Sequence, residues 1–392
     1  MKKHIFIIFL LIFAVFWGIK PTVGLKNANA VKKYAKEDID GLKISAKSAL
    51  LLDYNTNTIC YEKNSNERLP IASMTKIATL SVVLDAIDRG MIKENDTVTV
   101  SEKASKVGGS TAFLDAGASY KVIDLIKTVV IASANDSSVA LAEFVSGSED
   151  VFVTKMNKLV QSLGLNDTNF VNATGLPAEN HYSTAHDIAK IYRTICNNSI
   201  YRKFSKIWME DFIHPSGRRT GLVNTNRLVK TFDGIEGGKT GYTDSAKFCL
   251  TASASRGNTR FIGVIIGADD SKTRFAEMTS LLGFGFANFE NKILANKNVP
   301  VTISAVRKSN TMIEIFPERD SYAFNRKSEN IAYTTDYKIN EVTAPVKKGD
   351  VVGKLFVFDH NNMVVDEVNL ISGTDAKKEN FKELLEKLVK VW

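Results

Sequence analysis

The spacing of hydrophobic and polar residues changes several times along the chain, and each change predicts a different element. Residues 45–64, "SAKSALLLDYNTNTICYEKN", contain two β-like runs joined by a turn-rich stretch, which predicts a hairpin. Apolar residues then recur at helical spacing up to Gly90, a residue type that favours helix ends. This pattern predicts a buried helix directly after the hairpin. Its apolar positions are Met74, Ile77, Leu80, Leu84 and Ile87.

Three further helical segments follow one another between residues 120 and 164. The sequence Ser133-Ala134-Asn135 lies in the break between the first two. Either Asn135 or Asp136 could simply be a helix N-cap, because both side chains can accept a hydrogen bond from a free N–H group at a helix start. The break is therefore a candidate for either a structural or a chemical role.

The next part of the chain predicts a sheet. Residues 165–230 show no clear period and are predicted to be irregular. Two strand-like runs, residues 247–254 and 259–268, are separated by a short turn and predict an antiparallel pair. Residues 271–286 predict a long helix that covers the sheet. Together these elements predict an α/β (α+β) fold, in which helices flank an antiparallel sheet whose first and last strands come from opposite ends of the domain.

After residue 296 the pattern changes to short alternating runs with turns between them, which is typical of strands. We therefore predict a larger domain over residues 31–296 and a small all-β domain over residues 298–372. The length of 392 residues also favours two domains over one.

The N-terminal segment is predicted to be removed from the mature protein. Lys2 and Lys3 precede an unbroken apolar stretch over residues 5–19, and Ala28-Asn29-Ala30 supplies small residues at the positions that a signal peptidase reads. We interpret residues 1–30 as a secretory signal peptide. The alternative is an uncleaved membrane anchor, which the apolar length barely permits. Both interpretations place the rest of the chain outside the cytoplasm.

The last residues, 374–392, are predicted to form an amphipathic helix. One face is apolar, and the rest of the surface is rich in lysine. Such a helix either docks on its own protein or lies in a membrane interface, and the basic polar face and terminal tryptophan favour the membrane surface. The apolar residues are Phe381, Leu384, Leu385, Leu388 and Trp392.

Composition and charge exclude several classes of protein. The chain is 44% hydrophobic and 24% charged, an ordinary globular composition. Its formal charge of +8 includes four lysines of the signal segment, which has no acid, so the mature chain carries +4 (8 − 4), too little to indicate a nucleic-acid partner. The three cysteines are interpreted as buried, inert thiols, and the five histidines have no metal-ligand spacing. We therefore expect no metal and no cofactor.

A serine and a lysine stand together at the start of the first predicted helix. Ser73 and Lys76 are three residues apart, so they lie one above the other on the helix surface. A serine hydroxyl is a weak nucleophile and needs an adjacent base. Lys76 can be that base only as a neutral amine, and burial together with a second cation would lower its pKa. Lys239 is the candidate for the second cation.

Two further short motifs supply the other groups that the reaction needs. They are Ser133-Ala134-Asn135 (S-x-N) and Lys239-Thr240-Gly241 (K-T-G). Ser133 offers a hydroxyl that can pass a proton from the lysine base to a departing amine, and Asn135 can hold both that lysine and a substrate amide. Lys239 and Thr240 present a cation and a hydroxyl to a carboxylate, while Gly241 leaves room for substrate backbone beside a strand edge. These residues predict acyl transfer on a peptide that ends in a free carboxylate.

The order and context of the three motifs resemble those of the penicillin-interacting serine hydrolases. The stretches "NERLPIASMTKIATL", "IASANDSSVALAEFVSGSEDVFVTKMN" and "DGIEGGKTGYTDSAKFCLTASA" are similar to the low-molecular-weight penicillin-binding proteins, the serine D-alanyl-D-alanine carboxypeptidases. "TAFLDAG" and "FVNATGLPAENHYSTAHDIA" extend the resemblance over nearly all of residues 40–290.

The resemblance implies a catalytic domain of the β-lactamase/transpeptidase type, then a small β domain and a C-terminal anchor on the outer face of the bacterial membrane. It implies that the substrate is the D-Ala-D-Ala end of peptidoglycan stem peptides and that β-lactams are covalent inhibitors. The backbone N–H groups of Ser73 and Tyr242 would form the oxyanion hole. The implied catalytic residues are Ser73, Lys76 and Ser133, and the implied substrate-binding residues are Asn135, Lys239, Thr240, Gly241 and Tyr242.

Two alternative functions share these motifs. A class A β-lactamase needs a carboxylate base for rapid deacylation, and Glu179 is the one nearby loop candidate. A catalytically silent wall-binding protein would keep the fold without the chemistry, although it need not retain Ser73 and Lys76 together.

Three residues outside the motifs have expected places near the site. Family members often carry an arginine in the loop before K-T-G, and Arg227 is the residue available here. His181 and Asp187 are expected to brace the loop under the site rather than act in it.

Overall fold

The structure is a computed structural model that describes residues 42–329 and 331–380. The predicted signal peptide, residues 1–30, and residues 381–392 of the predicted C-terminal helix lie outside these ranges. The helices are α1 Lys76–Asp88, α2 Glu102–Ser105, α3 Val122–Ala132, α4 Asn135–Ser146, α5 Glu149–Ser162, α6 Ala185–Ile195, α7 Ser199–Ser205, α8 Leu228–Thr231 and α9 Ser271–Asn288. The strands are β1 Ser48–Asp53, β2 Ile59–Lys63, β3 Thr97–Thr99, β4 Ser119–Lys121, β5 Met209–Ile213, β6 Arg219–Val223, β7 Ile235–Thr243, β8 Lys247–Arg256, β9 Thr259–Ala268, β10 Phe289–Ala295, β11 Thr302–Ala305, β12 Met312–Pro317, β13 Ser321–Arg326, β14 Thr334–Ile339, β15 Val351–Phe358 and β16 Val364–Ser372.

A five-stranded antiparallel sheet forms the centre of the larger domain, with strand order β2-β1-β9-β8-β7. The predicted hairpin and the predicted strand pair are both confirmed, as β1–β2 and β8–β9. β1, from the start of the domain, pairs with β9, from near its end. The sheet therefore pairs strands from opposite ends of the domain, as expected. In this strand order β7 lies at an edge of the sheet.

Both faces of this sheet are covered, so its inner strands are buried nearly throughout. Successive residues of β1 point to opposite faces, as the two-residue period of a strand requires. Leu50 and Leu52 belong to a core shared with α1 and α3–α7, whereas Ala49 and Leu51 belong to a second core under α9. α9 is the long helix predicted over residues 271–286 and is confirmed.

The prediction that residues 165–230 are irregular is wrong from residue 185 onward. α6, α7 and the β5–β6 hairpin lie there. The Thr184 side chain accepts a hydrogen bond from the backbone N–H of Asp187 and so caps α6, and Asn198 caps α7 in the same way. These elements are too short to show many repeats of a period, but their capping residues were visible in the sequence.

The smaller domain is all-β, as predicted. Its main sheet has the order β11-β12-β16-β15-β14, and β10 pairs separately with β13. β10 follows α9 directly, and Asn291 in β10 donates a hydrogen bond to the Asp53 carboxylate of β1 at 2.5 Å. Side chains from three strands of the main sheet form much of its core, among them Ile313, Ile315, Leu355, Val357, Val368 and Leu370.

The described start of the predicted C-terminal helix is not helical. Residues 374–380 contain no helix, and Ala376 forms an isolated antiparallel bridge with Val346. The backbone N–H and C=O of Ala376 both bond to Val346, at 2.8 and 2.9 Å, so they are not available for helical hydrogen bonds. The prediction that a helix begins at residue 374 is therefore wrong. Within the two described ranges, no helix combines the length and the apolar character needed to cross a membrane.

Candidate active site

Ser73 and Lys76 lie where a 3-10 turn over Ala72–Thr75 leads into α1. Lys76 is fully buried, and its Nζ lies 3.0 Å from Ser73 Oγ. The same Nζ donates a hydrogen bond to the backbone oxygen of Thr174 at 2.6 Å. The spacing of three residues along a helical path thus places an amine directly beside the serine hydroxyl.

The surroundings of Lys76 favour the neutral amine that a base must be. Burial is the main cause and lowers the pKa of Lys76 well below that of an exposed lysine. The positive charge of Lys239 lowers this pKa further, and the carboxylate of Asp136 opposes the effect in part. Burial and the charge of Arg274 in turn lower the pKa of Lys239 to about 7. The second cation expected from the sequence is close enough to act on Lys76.

The turn that carries Ser73 is packed between two glycines. Ala72 has a φ of 46°, a left-handed conformation that is unfavourable for a residue with a Cβ. A Cβ on Gly175 would lie 1.9 Å from the backbone oxygen of Ala72. A Cβ on Gly241 would lie 2.6 Å from the backbone oxygen of Ile71 and 3.2 Å from the backbone nitrogen of Ser73. The missing side chain of Gly241 therefore makes room for this turn.

The K-T-G motif, Lys239-Thr240-Gly241, lies within β7, the edge strand. Lys239 and Thr240 are buried, and Lys239 Nζ donates a hydrogen bond to the backbone oxygen of Thr240 at 2.9 Å. Tyr242 follows the motif with its side chain 52% exposed. Thr240, Gly241 and Tyr242 line the same cavity as Ser73. Because an edge strand has one unpaired side, β7 can offer backbone groups to an extended peptide.

The break between α3 and α4 brings Ser133 to the cavity, whereas Asn135 is not among the described residues that line it. Ser133 ends α3 in a left-handed conformation with φ 63° and lines the cavity. Asn135 is the first residue of α4 and does not cap it. Its Nδ2 donates to the backbone oxygen of Gly108 at 2.6 Å, while its Oδ1 is buried and has no hydrogen-bond partner in the described chain. A buried oxygen of this kind is unfavourable unless a donor reaches it, so it is available to a bound amide.

Asp136 holds the loop that forms one wall of the cavity. Its carboxylate accepts hydrogen bonds from the backbone N–H groups of Ala112 and Leu114, each at 3.0 Å. Ser110 of this loop lines the cavity, and its backbone oxygen accepts from the N–H of Asn135 at 2.7 Å. Asn135 and Asp136 therefore position the loop that carries Ser110.

Sequence reasoning missed Arg274, which lies on α9 and is only 7% exposed. It lines the cavity, and its Nη1 lies 3.3 Å from the backbone oxygens of both Gly241 and Cys249. Burial lowers its pKa to about 10. Its Nε is buried without a partner in the described chain. A buried arginine with an unused donor is suited to an anionic ligand. The available sequence signal was a charged residue on a helix predicted to cover the sheet.

His181 contacts the turn that carries Ser73, and neither His181 nor Asp187 is among the described residues that line the cavity. His181 Nε2 is 2.7 Å from Thr75 Oγ1, and its Nδ1 accepts from the backbone N–H of Val171. Asp187 accepts a hydrogen bond from Thr168 at 2.9 Å. The contacts of His181 connect the loop to the turn that carries the serine, whereas those of Asp187 connect α6 to Thr168.

The remaining candidates are placed as follows. Glu179 is exposed and is not among the described residues that line the cavity, whereas Arg227 is.

The three cysteines are buried and free, and burial raises the pKa of each thiol. In the part of the chain that the structure describes, His, Cys, Asp and Glu side chains form no group of three or more that could hold a metal ion.

Activation of a serine by a buried lysine, beside an edge strand that can bind a peptide, is typical of the serine acyl hydrolases that penicillins inhibit. The family model described as "D-alanyl-D-alanine carboxypeptidase", of the S11 peptidases, matches residues 31–270. A second model, "Penicillin-binding protein 5, C-terminal domain", matches residues 289–378. The chain belongs to the D-alanyl-D-alanine carboxypeptidase family.

Individual relatives agree with this assignment. D-alanyl-D-alanine carboxypeptidase DacF of Bacillus subtilis is 40% identical over 369 residues, which cover 93% of this chain and 95% of the relative. DacA of Escherichia coli K12 is 32% identical over 377 residues, covering 92% of this chain and 91% of the relative. The crystal structure of penicillin-binding protein 5 from Haemophilus influenzae has a TM-score of 0.68 at 31% identity, covering 87% of this chain and 100% of that one.

The rate of acylation is expected to rise with pH through the lowered pKa of Lys76, because the neutral amine accepts the serine proton. Lys239→Gln removes a positive charge that lowers this pKa. The pKa of Lys76 then increases, so the rise of the acylation rate with pH is shifted to higher pH. Stopped-flow acylation by a chromogenic cephalosporin, measured across pH for both proteins, tests the direction. A rise that stays in place or moves to lower pH would show that Lys239 does not act on the base.

Gly241→Ala is expected to slow acylation by about a hundredfold, because a displacement of about 1 Å at a reacting group can cost that much. The added Cβ meets the backbone of the turn that carries Ser73 and pushes β7 away from it. Labelling by a fluorescent penicillin measures the rate. Gly283→Ala is the matched control, because a Cβ there meets nothing within 4 Å and the residue lies in α9. Equal rates for the two variants would contradict the packing argument.

Proposed function

We propose that this carboxypeptidase removes the terminal D-alanine from peptidoglycan stem peptides through an ester on Ser73, and thereby limits later crosslinking. One observation carries the proposal. Ser73 Oγ lies 3.0 Å from the Nζ of a fully buried lysine whose surroundings lower its pKa and so favour the neutral amine. A hydroxyl in that position can lose its proton to the amine as it attacks a carbonyl carbon.

Acylation begins with transfer of the Ser73 proton to Lys76. The serine oxygen attacks the carbonyl carbon of the penultimate D-alanine, and the backbone N–H groups of Ser73 and Tyr242 stabilise the oxyanion. The proton then passes from Lys76 through the hydroxyl of Ser133 to the leaving amine. The C–N bond breaks, D-alanine departs, and the rest of the peptide remains as an ester on Ser73.

Substrate binding uses polar groups of β7, α9 and α4. The terminal carboxylate lies between Lys239, Thr240 and Arg274, a set that we call the carboxylate clamp. Two buried cations and a hydroxyl suit one carboxylate, and the unused Nε of Arg274 supports this placement. The free Oδ1 of Asn135 accepts a hydrogen bond from a substrate amide.

Water then attacks the ester and its oxygen bonds to the acyl carbon, the bond between that carbon and Ser73 Oγ breaks, and Ser73 Oγ recovers a proton. A class A β-lactamase would need a carboxylate to activate this water. The candidate Glu179 is exposed and is not among the described residues that line the cavity. The position of Glu179 therefore favours the carboxypeptidase over the β-lactamase. We accordingly expect the penicilloyl ester to be long-lived.

Two measurements on the mature protein test the proposal. We expect release of D-alanine from diacetyl-L-lysyl-D-alanyl-D-alanine, and an adduct of benzylpenicillin that persists for hours by intact-mass analysis. Rapid hydrolysis of the drug without a lasting adduct would favour the β-lactamase. Absence of both D-alanine release and adduct on well-folded protein would favour the silent wall-binding protein.

We also propose that the protein works on the outer face of the bacterial membrane. Residues 1–30 would direct secretion, and residues 381–392, which carry the apolar positions of the predicted amphipathic segment together with several lysines, would hold the mature chain at the membrane surface. Deletion of the residues after Ser372 should move the protein from the membrane fraction to the soluble fraction. Continued sedimentation with membranes would mean that the tail docks on the protein or that the signal segment remains attached.

A further inference from the structure

The β5–β6 hairpin lines the cavity at its base and contacts another part of the chain at its tip. Trp208, just before β5, and Val223, at the end of β6, both line the cavity. His214 and Arg218 lie in the turn at the tip, where the backbone N–H of His214 donates to the backbone oxygen of Arg218 at 2.8 Å. The five-residue strands place the tip about 14 Å from the base. Because neither tip residue is among the described residues that line the cavity, a role of the tip in the reaction would be indirect.

The tip of the hairpin contacts the loop of residues 108–118, which also forms part of the cavity wall through Ser110. Phe113 of this loop has a φ of 59° and is 64% exposed. A left-handed conformation is unfavourable for an aromatic residue, and it persists only where the surroundings fix it. On one side the loop is fixed by Asp136, which accepts hydrogen bonds from the N–H groups of the two residues that flank Phe113.

Arg218 fixes the same loop from the side of the hairpin. Its Nη2 donates a hydrogen bond to the backbone oxygen of Phe113 at 2.6 Å. The same nitrogen lies 2.9 Å from Asp115 Oδ1 and 3.1 Å from His214 Nδ1. Two of these acceptors belong to the loop and the third belongs to the hairpin. The contacts therefore join the two segments at one nitrogen, and the contact with the carboxylate is charge-assisted.

His214 supplies a rigid acceptor for this arginine. The residue is only 2% exposed, and its ring centroid lies 4.9 Å from that of Phe212. Its Nε2 is 2.8 Å from Thr220 Oγ1, and its Nδ1 is 3.0 Å from Tyr120 Oη. Because an arginine can only donate, Nδ1 accepts and the ring proton is on Nε2. The ring is thus held by β5, β6 and β4 together.

We infer that Arg218 is a positioning residue for acylation, although it does not reach the cavity. It connects the loop that carries Ser110 to the hairpin that carries Trp208 and Val223. Two parts of the cavity wall that are distant in the sequence are thereby held at a fixed separation. The inference rests on the proposed function, because it concerns the rate at which Ser73 is acylated.

The loop transmits this constraint to the catalytic groups through Asn135. The backbone oxygen of Gly108 accepts from Asn135 Nδ2 at 2.6 Å, and that of Ser110 accepts from the Asn135 N–H at 2.7 Å. Asn135 follows Ser133, the proposed proton carrier, by two residues. A shift of the loop would therefore move both residues, and a displacement of about 1 Å at a reacting group can slow a reaction by about a hundredfold.

Arg218→Gln tests the inference, because glutamine is shorter, is uncharged and cannot reach all three acceptors. We expect the second-order rate of acylation by benzylpenicillin to fall about tenfold, which is less than a hundredfold because the hydrogen bonds to Asp136 remain. Amide hydrogen exchange of residues 110–115 should become at least tenfold faster, because the loop opens more often. Both quantities are measured well below the melting temperature of each variant.

Two further variants separate positioning from a general loss of stability. Arg218→Lys keeps three N–H donors on one nitrogen, so it should recover at least half of the wild-type acylation rate. Arg219→Gln replaces the next residue, an exposed arginine whose ion pair with Asp211 has a distance of 3.5 Å. This matched control should change neither the acylation rate nor the exchange of the loop.

The outcomes distinguish the inference from the proposed function. Acylation of Arg218→Gln at the wild-type rate, or a rate for Arg218→Lys as low as that for Arg218→Gln, would disprove the positioning role and leave the proposed function intact. An equal loss in Arg219→Gln would disprove it as well, because the effect would then belong to the charge of the hairpin. If the well-folded wild-type protein forms no adduct and releases no D-alanine, the proposed function is wrong, and the positioning role is wrong with it.

Discussion

Ser73→Ala is expected to abolish both D-alanine release and covalent labelling by penicillin, a loss of roughly five orders of magnitude or more when compared with other serine hydrolases. The reason is that the variant lacks the oxygen that forms the acyl-enzyme. The other groups of the site are not nucleophiles for this ester, because Lys76 Nζ is directed at Ser73 Oγ and at the backbone oxygen of Thr174. Intact-mass analysis with benzylpenicillin and a D-alanine assay measure the two losses.

Ser162→Ala is the matched control for this experiment. Ser162 is an exposed serine on α5, and its Oγ donates only to the backbone oxygen of Leu159. Its loss should leave the adduct and the activity unchanged. A penicillin adduct on Ser73→Ala protein would identify a different nucleophile, and peptide mapping of the adduct would locate it.

Lys76→Met is expected to slow acylation by about a thousandfold, within the range of about 10²–10⁴ that is typical of a general base. Methionine matches the length of the lysine stem and has no amine to accept the serine proton. The same change should raise the thermal stability, because it removes a polar amine from a fully buried position. The acylation rate and the melting temperature are the two measurements. A lower rate with a higher melting temperature indicates loss of the base, whereas a decrease in both would indicate loss of the fold.

The control for Lys76→Met is Lys158→Met, which replaces an exposed lysine of α5 and should change neither quantity appreciably. The slow adduct that remains in Lys76→Met should still lie on Ser73, since the nucleophile is retained. Acylation at the wild-type rate would mean that another group, such as Lys239, takes the proton. A lower melting temperature would mean that Lys76 holds the fold as a charged group.

Much of the fold could be predicted because its signals are local. The β1–β2 hairpin, the β8–β9 pair and α9 each carry a period or a turn within one short stretch. α6 and α7 could not be found by periodicity, because each has few turns and is defined mainly by its cap. The helix predicted from residue 374 failed at its start for a different reason. Its apolar spacing is local, whereas the bridge from Ala376 to Val346 joins residues that are distant in the sequence.

The sequence by itself determined that Ser73 and Lys76 are neighbours, because a spacing of three residues on a helical path sets their contact without any other part of the chain. It also determined the order of the three motifs and the all-β nature of the second domain. Only the tertiary structure decided what surrounds these residues. The packing of β7 against the serine turn explains Gly241, and α9 brings Arg274 to Lys239. A pKa depends on burial and on charges contributed by distant segments, so the chemistry of Lys76 follows from the folded chain and not from its own motif.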